Sequence, residues 1–225
     1  MKKMLLFSLL VIFTLIFVAC SPATITDNAT NPGADSDSTA QDEKQTPEEL
    51  IEGFFAAQPQ YSVTYDVEKS FLGTTQESTA KVYEFNNKRR IDYISKAAQF
   101  RYYTLPPSHF MCTLSGDWKC FDAYTDESED HFQLFNDLYE IEQNFAKYDV
   151  LEISSKTLGG KESRCFLLKH PDFNQELCVY NNVVMYYSSG NKGSTFVARA
   201  TSIDMSASTS DFSLPADVQH INNQV

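Results

Sequence analysis

A chain of 225 residues with 30 Asp and Glu against 18 Lys and Arg carries a formal charge of −12. That balance argues against nucleic acid as a partner and against electrostatic attraction of the whole molecule to anionic lipid. With 17 Phe, 12 Tyr and one Trp there is apolar bulk enough for a sizeable core, and no repeat of solenoid period is present.

Lys2 and Lys3 open the chain, followed by 16 uncharged residues from Met4 to Ala19. A spanning helix needs about 20 apolar residues. A positive start, a short apolar core and small residues at its end instead describe a secretory signal peptide. The junction Phe17-Val18-Ala19-Cys20 resembles a prokaryotic lipobox, with Phe17 where an aliphatic residue is usual. The resemblance implies that residues 1–19 are removed and that Cys20 is lipidated as the new N-terminus. Loss of the two lysines would lower the formal charge to −14. Two acyl chains hold a protein to a membrane far better than one. The expected location is the outer face of a prokaryotic membrane, periplasmic or at the cell surface.

Residues 20–45 follow as a tether. Between Ser21 and Gln45 the one large apolar side chain is Ile25, too little to offset the entropy of ordering. Twenty-five flexible residues reach about 25–30 Å, enough to lift a domain clear of a membrane. Residues 46–225 then form one domain.

Thr46-Pro47-Glu48-Glu49 carries an N-cap, a proline at the first helical position and a capping-box glutamate, so a short amphipathic helix with Leu50, Ile51 and Phe54 is expected. Tyr61, Val63, Tyr65 and Val67 alternate with polar residues, the period of a strand. "AKVYEFNNKRRIDYI" reads as two strands around Asn86-Asn87, since Asn tolerates positive φ. A two-residue loop sets Glu84 opposite Arg89, and a three-residue loop sets it opposite Arg90. "QFRYYTL" and "FMCTLSGDWKCF" add further strands. The period then changes. Phe132, Phe135, Leu138, Tyr139 and Phe145 recur at helical spacing, which predicts a helix of about 15 residues over 131–146 with an aromatic inner face. "YDVLEISSKTLGGKESRCFLLKH", "QELCVYNNVVMYYSS" and "STFVARATSIDM" read as four or five more antiparallel strands. The whole is α+β: a helix, four or five strands, a helix, and four or five strands, in one large curved antiparallel sheet with helices against one face.

Four cysteines remain beyond Cys20, and an exported location favours disulfides. A turn at Ser115-Gly116-Asp117 places Cys112 opposite Cys120, and a loop around His170-Pro171 places Cys165 opposite Cys178. Each bridge would staple one hairpin, worth about 2.6–3 kcal/mol on chain-entropy arithmetic. Zinc sites favour cysteines two to four residues apart, closer than these.

The order of elements, the "KVYEFNNKRRID" hairpin, the mid-chain helix, the "ELCVYNNVVMYY" hairpin and the closing "F-x-L-P" together resemble the LolA-like superfamily of lipoprotein carriers, including its LppX- and LprG-like members. The likeness spans roughly residues 46–216. It implies a half-open barrel capped by helices on its concave face, and non-catalytic binding of a lipid or other hydrophobic ligand in an apolar cavity. The residues placed to line such a cavity are Tyr61, Val63, Tyr65, Phe132, Phe135, Tyr139 and Phe145. The other reading is an envelope interaction or signalling module of the same fold with a filled core, binding a protein partner.

Enzymatic signatures are missing. The four histidines fall in different elements without metal-like spacing, the glycines of "SGNKGS" lack Walker spacing, and neither a nucleophile elbow nor an H-E-x-x-H stretch is present. Asp126, Glu127, Glu129 and Asp130 read as a solvated loop. No enzyme activity, cofactor or metal is expected.

Overall fold

The structure, a computed structural model, describes residues 45–123, 132–191 and 193–220. The signal segment, Cys20, nearly all of the tether and the acidic loop at 126–130 lie outside the described residues. No helix among those described is long and apolar enough to cross a membrane.

The chain opens with helix α1, Pro47–Ala56. Thr46 Oγ1 accepts from the Glu49 amide at 3.2 Å and Glu49 Oε2 accepts from the Thr46 amide at 2.8 Å, the reciprocal cap its sequence encodes. Ile51 is the side chain it buries completely, with Leu50 and Phe54 half-buried beside it. Six strands follow: β1 Tyr61–Phe71, β2 Thr74–Phe85, β3 Lys88–Ser95, β4 Gln99–Leu105, β5 Ser108–Ser115 and β6 Asp117–Asp122. Four or five were expected from the alternation. Strand β2 starts within the polar stretch Thr74–Ser78, which has no alternation of its own and is held by pairing to β1.

Helix α2 is Gln133–Gln143, followed by a 3-10 turn at Phe145–Lys147. The helix is therefore shorter than the expected span, and its inner face differs. Leu134, Leu138 and Ile141 are its buried residues, and Tyr139, expected to face inward, is 60% exposed. Spacing alone favoured the aromatic residues. The i, i+4, i+7 stripe that meets the sheet is aliphatic, and Tyr139 lies next to Leu138 but off that stripe.

Strands β7 Asp149–Leu158, β8 Lys161–Lys169, β9 Asn174–Tyr180, β10 Val183–Asn191 and β11 Ser194–Asp204 form a second meander, and a two-residue β12, Val218–Gln219, returns to the edge of the first. All twelve strands form one open sheet in the order β12-β6-β5-β4-β3-β2-β1-β11-β10-β9-β8-β7. The pairings are antiparallel except β12 on β6. Tight turns set the registers. Asn86 and Asn87 sit at φ 48° and 62°, and Asn181 and Asn182 at 47° and 59°. The two-residue loop places Glu84 opposite Arg89.

Both cysteine pairs lie directly across a hairpin, Cys112 from Cys120 and Cys165 from Cys178, with Cα atoms 4.0 Å apart and sulfurs at bonding distance. Cys165 and Cys178 also lie near Glu176, but their sulfurs are joined to each other rather than offered to a metal. On the face opposite the helices, the C-terminal segment crosses the first meander. Leu214, Ala216 and Val218 pack around Tyr103 and the Cys112–Cys120 bridge. The Ser213 carbonyl accepts from the Tyr103 hydroxyl at 3.2 Å, and the Asp211 carbonyl from Arg90 Nη1 at 2.6 Å.

Candidate functional site

The register lines up rows of side chains on the core face, because directly opposed residues point the same way. Nearest the β2–β3 turn runs a polar row: Tyr61, Glu84, Arg89, Thr104 and His109. Above it runs Val63, Val82, Ile91, Tyr102 and Met111, and above that Tyr65, Ala80, Tyr93, Phe100 and Thr113.

Helix α2 covers part of this face. Phe132, just before the helix, is 2% exposed, with its ring centroid 6.0 Å from Tyr65, 6.2 Å from Phe196 and 5.5 Å from Phe135. Tyr65 is 1% exposed, and its hydroxyl donates to the Val184 carbonyl at 2.7 Å. Tyr61 and Val63 are buried as well. Four of the seven candidate lining residues thus sit together in packed interior. Phe135 is half-buried at the border, under the Arg89 guanidinium, which lies 3.7 Å from its ring centroid. Phe145 is half-buried against Phe55 of α1, rings 6.3 Å apart, and Tyr139 stands apart from the others in solvent.

Two polar constellations interrupt the apolar interior. Glu84 pairs with Arg89, the partner that goes with the two-residue form of the turn, rather than with Arg90. Burial pushes the Glu84 carboxyl up while Arg89 pulls it down, and burial, reinforced by Glu84, drives the Tyr61 hydroxyl up. The second was not read from the sequence. Asp137 Oδ2 accepts from the Tyr187 hydroxyl at 2.8 Å, the Ser189 hydroxyl at 3.0 Å and Gln133 Nε2 at 3.4 Å, and Gln175 Nε2 donates to the Tyr187 oxygen at 2.8 Å. Burial raises the Asp137 carboxyl and the three donors partly offset it. Its sequence signal is faint: one acid, a turn of helix from the fully buried Leu134 and Ile141, and a glutamine within the apolar run of β9.

Toward the edge of the first meander the core face is less sealed. Tyr93, Phe100 and Met111 are half-buried, whereas Phe166, Leu168, Leu177, Met185 and Tyr187 of the second meander are fully buried. A separate open depression of about 680 Å³ lies at Leu214–Val218, away from these rows. This arrangement of packed apolar wall, half-sealed apolar rows and a polar border suits non-covalent binding.

The fold is thus an α+β architecture with an open twelve-stranded sheet and two helices contributing to one core. No family model matches the sequence, and no curated protein matches it. Solved structures do. An uncharacterized conserved protein from Thermus thermophilus matches at TM-score 0.50 and 10% identity, over 78% of this chain and 99% of that one. The Pseudomonas aeruginosa MucA/MucB complex matches at TM-score 0.48 and 14% identity, over 73% and 59%. A LolA superfamily protein from Nitrosomonas europaea matches at TM-score 0.40 and 9% identity, over 76% and 98%. The chain spans about three fifths of the length of the MucB-containing matches. At these identities the likeness is one of fold alone, and the Thermus protein carries it.

Proposed function

We propose that this chain is an exported lipoprotein, anchored through lipid on Cys20, that binds a lipid or other hydrophobic ligand without catalysis on the core face of its sheet. The observation that supports this most is the half-buried apolar surface of Tyr93, Phe100 and Met111, continuous with the packed wall at Tyr61, Val63, Tyr65 and Phe132. Burial of an acyl chain there gains about 0.8 kcal/mol per methylene removed from water. Phe135 and Phe145 stand at the border of that surface, and we keep them, with Tyr139, among the residues to test.

A form starting at residue 46, purified from an expressing cell, should carry lipid in native mass spectrometry. A fluorescent fatty acid should bind it saturably, and Phe135→Asp should weaken that binding while the fold, followed by circular dichroism, persists. A folded domain without lipid and without saturable binding sinks the carrier reading. The second reading, a protein-binding envelope module with a filled core, then takes its place. It is favoured by the closed packing of Phe132, Leu134 and Ile141 under α2, all at most 2% exposed. For the anchor, Cys20→Ser should release the protein from membranes or leave it unprocessed, and unchanged lipid labelling in that variant would refute it.

A further inference from the structure

His109 had no role in the sequence. It starts β5, directly opposite Thr104 of β4, which is in turn opposite Arg89 of β3. Its Nδ1 is buried and, among the described residues, meets no hydrogen-bond partner. A buried ring nitrogen left unpaired costs free energy that a ligand atom can recover. Arg89 lies two strands away in the same row. Its Nε is taken by Glu84 and its face by Phe135, but its side chain is still 37% exposed, and a guanidinium has four further N–H donors. Thr104 adds a hydroxyl between them. The one carboxylate of this row, Glu84, is already matched to Arg89. With its one acid and its one fixed cation paired, the row still presents the remaining Arg89 N–H groups, the Thr104 hydroxyl and the His109 ring nitrogen.

Immediately above the row lies the half-buried Met111 beside the buried Tyr102 and Ile91, and one row further lie the half-buried Phe100 and Tyr93. Residues 104, 102 and 100 of β4 share the core face, so head row and far apolar row are about 13 Å apart at ~3.3 Å per residue. A polar border that donates, continuous with an apolar strip of that length, is complementary to an amphiphile.

We propose that the hydrophobic ligand is a single-chain amphiphile with an anionic oxygen head, the head held by His109, Thr104 and Arg89 and the chain laid along Met111, Phe100 and Tyr93. This rests on the ligand-binding reading above and narrows it to one head chemistry and one half of the sheet. The net acidity of the chain does not oppose it, because the pairing is local and shielded from most surface carboxylates by salt.

The test uses the full chain in membranes of expressing cells. Three photoactivatable probes of equal chain length, a fatty acid, an alkyl phosphate and a fatty alcohol, are added and irradiated, and crosslinked peptides are mapped by mass spectrometry. The acid or the phosphate should label the β4–β5 peptides at least fivefold more than the alcohol, and the stronger of the two identifies the head. His109→Gln and, independently, Thr104→Val should bring anionic labelling down toward the alcohol level without changing alcohol labelling. Resistance to limited proteolysis equal to that of the unsubstituted chain reports that each variant is folded. Should His109→Gln fail to fold, Thr104→Val alone decides. Equal labelling by acid and alcohol, unaffected by a folded variant, overturns the proposal, as does labelling confined to Tyr65 and Phe132 under α2. Labelling of this domain by none of the three probes removes the ligand-binding reading itself.

Discussion

Strands β7–β10 and β2–β6 are both antiparallel meanders, each stapled by one cystine between directly opposed residues, and they flank the same central pair, β1 and β11. Their core faces differ. In the second meander Phe166, Leu168, Leu177, Met185 and Tyr187 are fully buried. In the first, burial fades outward from Val82 and Ala80 to the half-buried Tyr93, Phe100 and Met111. A sheet that needed only to be stable would seal both halves. The contrast separates a half that supplies stability from a half that retains accessible apolar surface.

Core truncation breaks that contrast most severely. Phe166→Ala should cost about 3–5 kcal/mol in urea unfolding, as expected for a large buried side chain replaced by a cavity. Phe100→Ala should cost less than about 2 kcal/mol, because its ring is already part exposed. Equal losses would mean the two halves are sealed alike. Replacing both members of a cystine by Ala should cost about 3 kcal/mol for Cys165–Cys178 and slightly less for Cys112–Cys120, whose loop is shorter. A Cys112–Cys120 variant as stable as wild type would show that the C-terminal segment alone holds that hairpin.

A pH series sharpens the comparison further. Burial holds the Asp137 carboxyl above its ordinary value, so the folded chain keeps that proton more tightly than the unfolded chain does. Its contribution to stability is therefore greatest in acid and declines as pH rises from the ordinary carboxylate range, about 3.9, through the raised folded value. Asp137→Asn should flatten the fall in unfolding free energy as pH rises above the ordinary carboxylate range. It should not abolish it, because Glu84 is shifted the same way by burial. An unchanged slope would show that Asp137 is solvated in the folded state. The smallest effect belongs to Tyr139→Ala, within about 0.5 kcal/mol of wild type, since that ring stands in solvent.

Local chemistry was legible from residues wherever short-range physics decides. The Thr46 cap, the Asn-Asn turns and both hairpin registers through the cysteines follow from turn length and side-chain period, whereas the partner of Glu84 stayed open between Arg89 and Arg90 until the loop length was fixed. The inner face of α2 was legible only at Leu138, because Tyr139 and Phe145 compete with Leu134 and Ile141 for the inner face, and only contact with the sheet chooses between them. His109 and Asp137 were hidden for a related reason. Each becomes notable through what lies opposite it on another strand or element, 5 residues away in the chain for Thr104 and 52 for Ser189.

The pairing of β1 with β11 sets residues Phe71 and Ser194 side by side, while nearly every other pairing joins chain neighbours. Each meander can zip up through short loops, but this ladder must close a loop that holds most of the domain, and the entropy of that closure comes before its reward. Because synthesis runs from the N-terminus, β1 exists long before β11, and its unpaired edge is a template for any other strand nearby. The ladder at the centre of the sheet thus has to wait for the chain beyond the second meander, and until then the open edge of β1 is the exposed one.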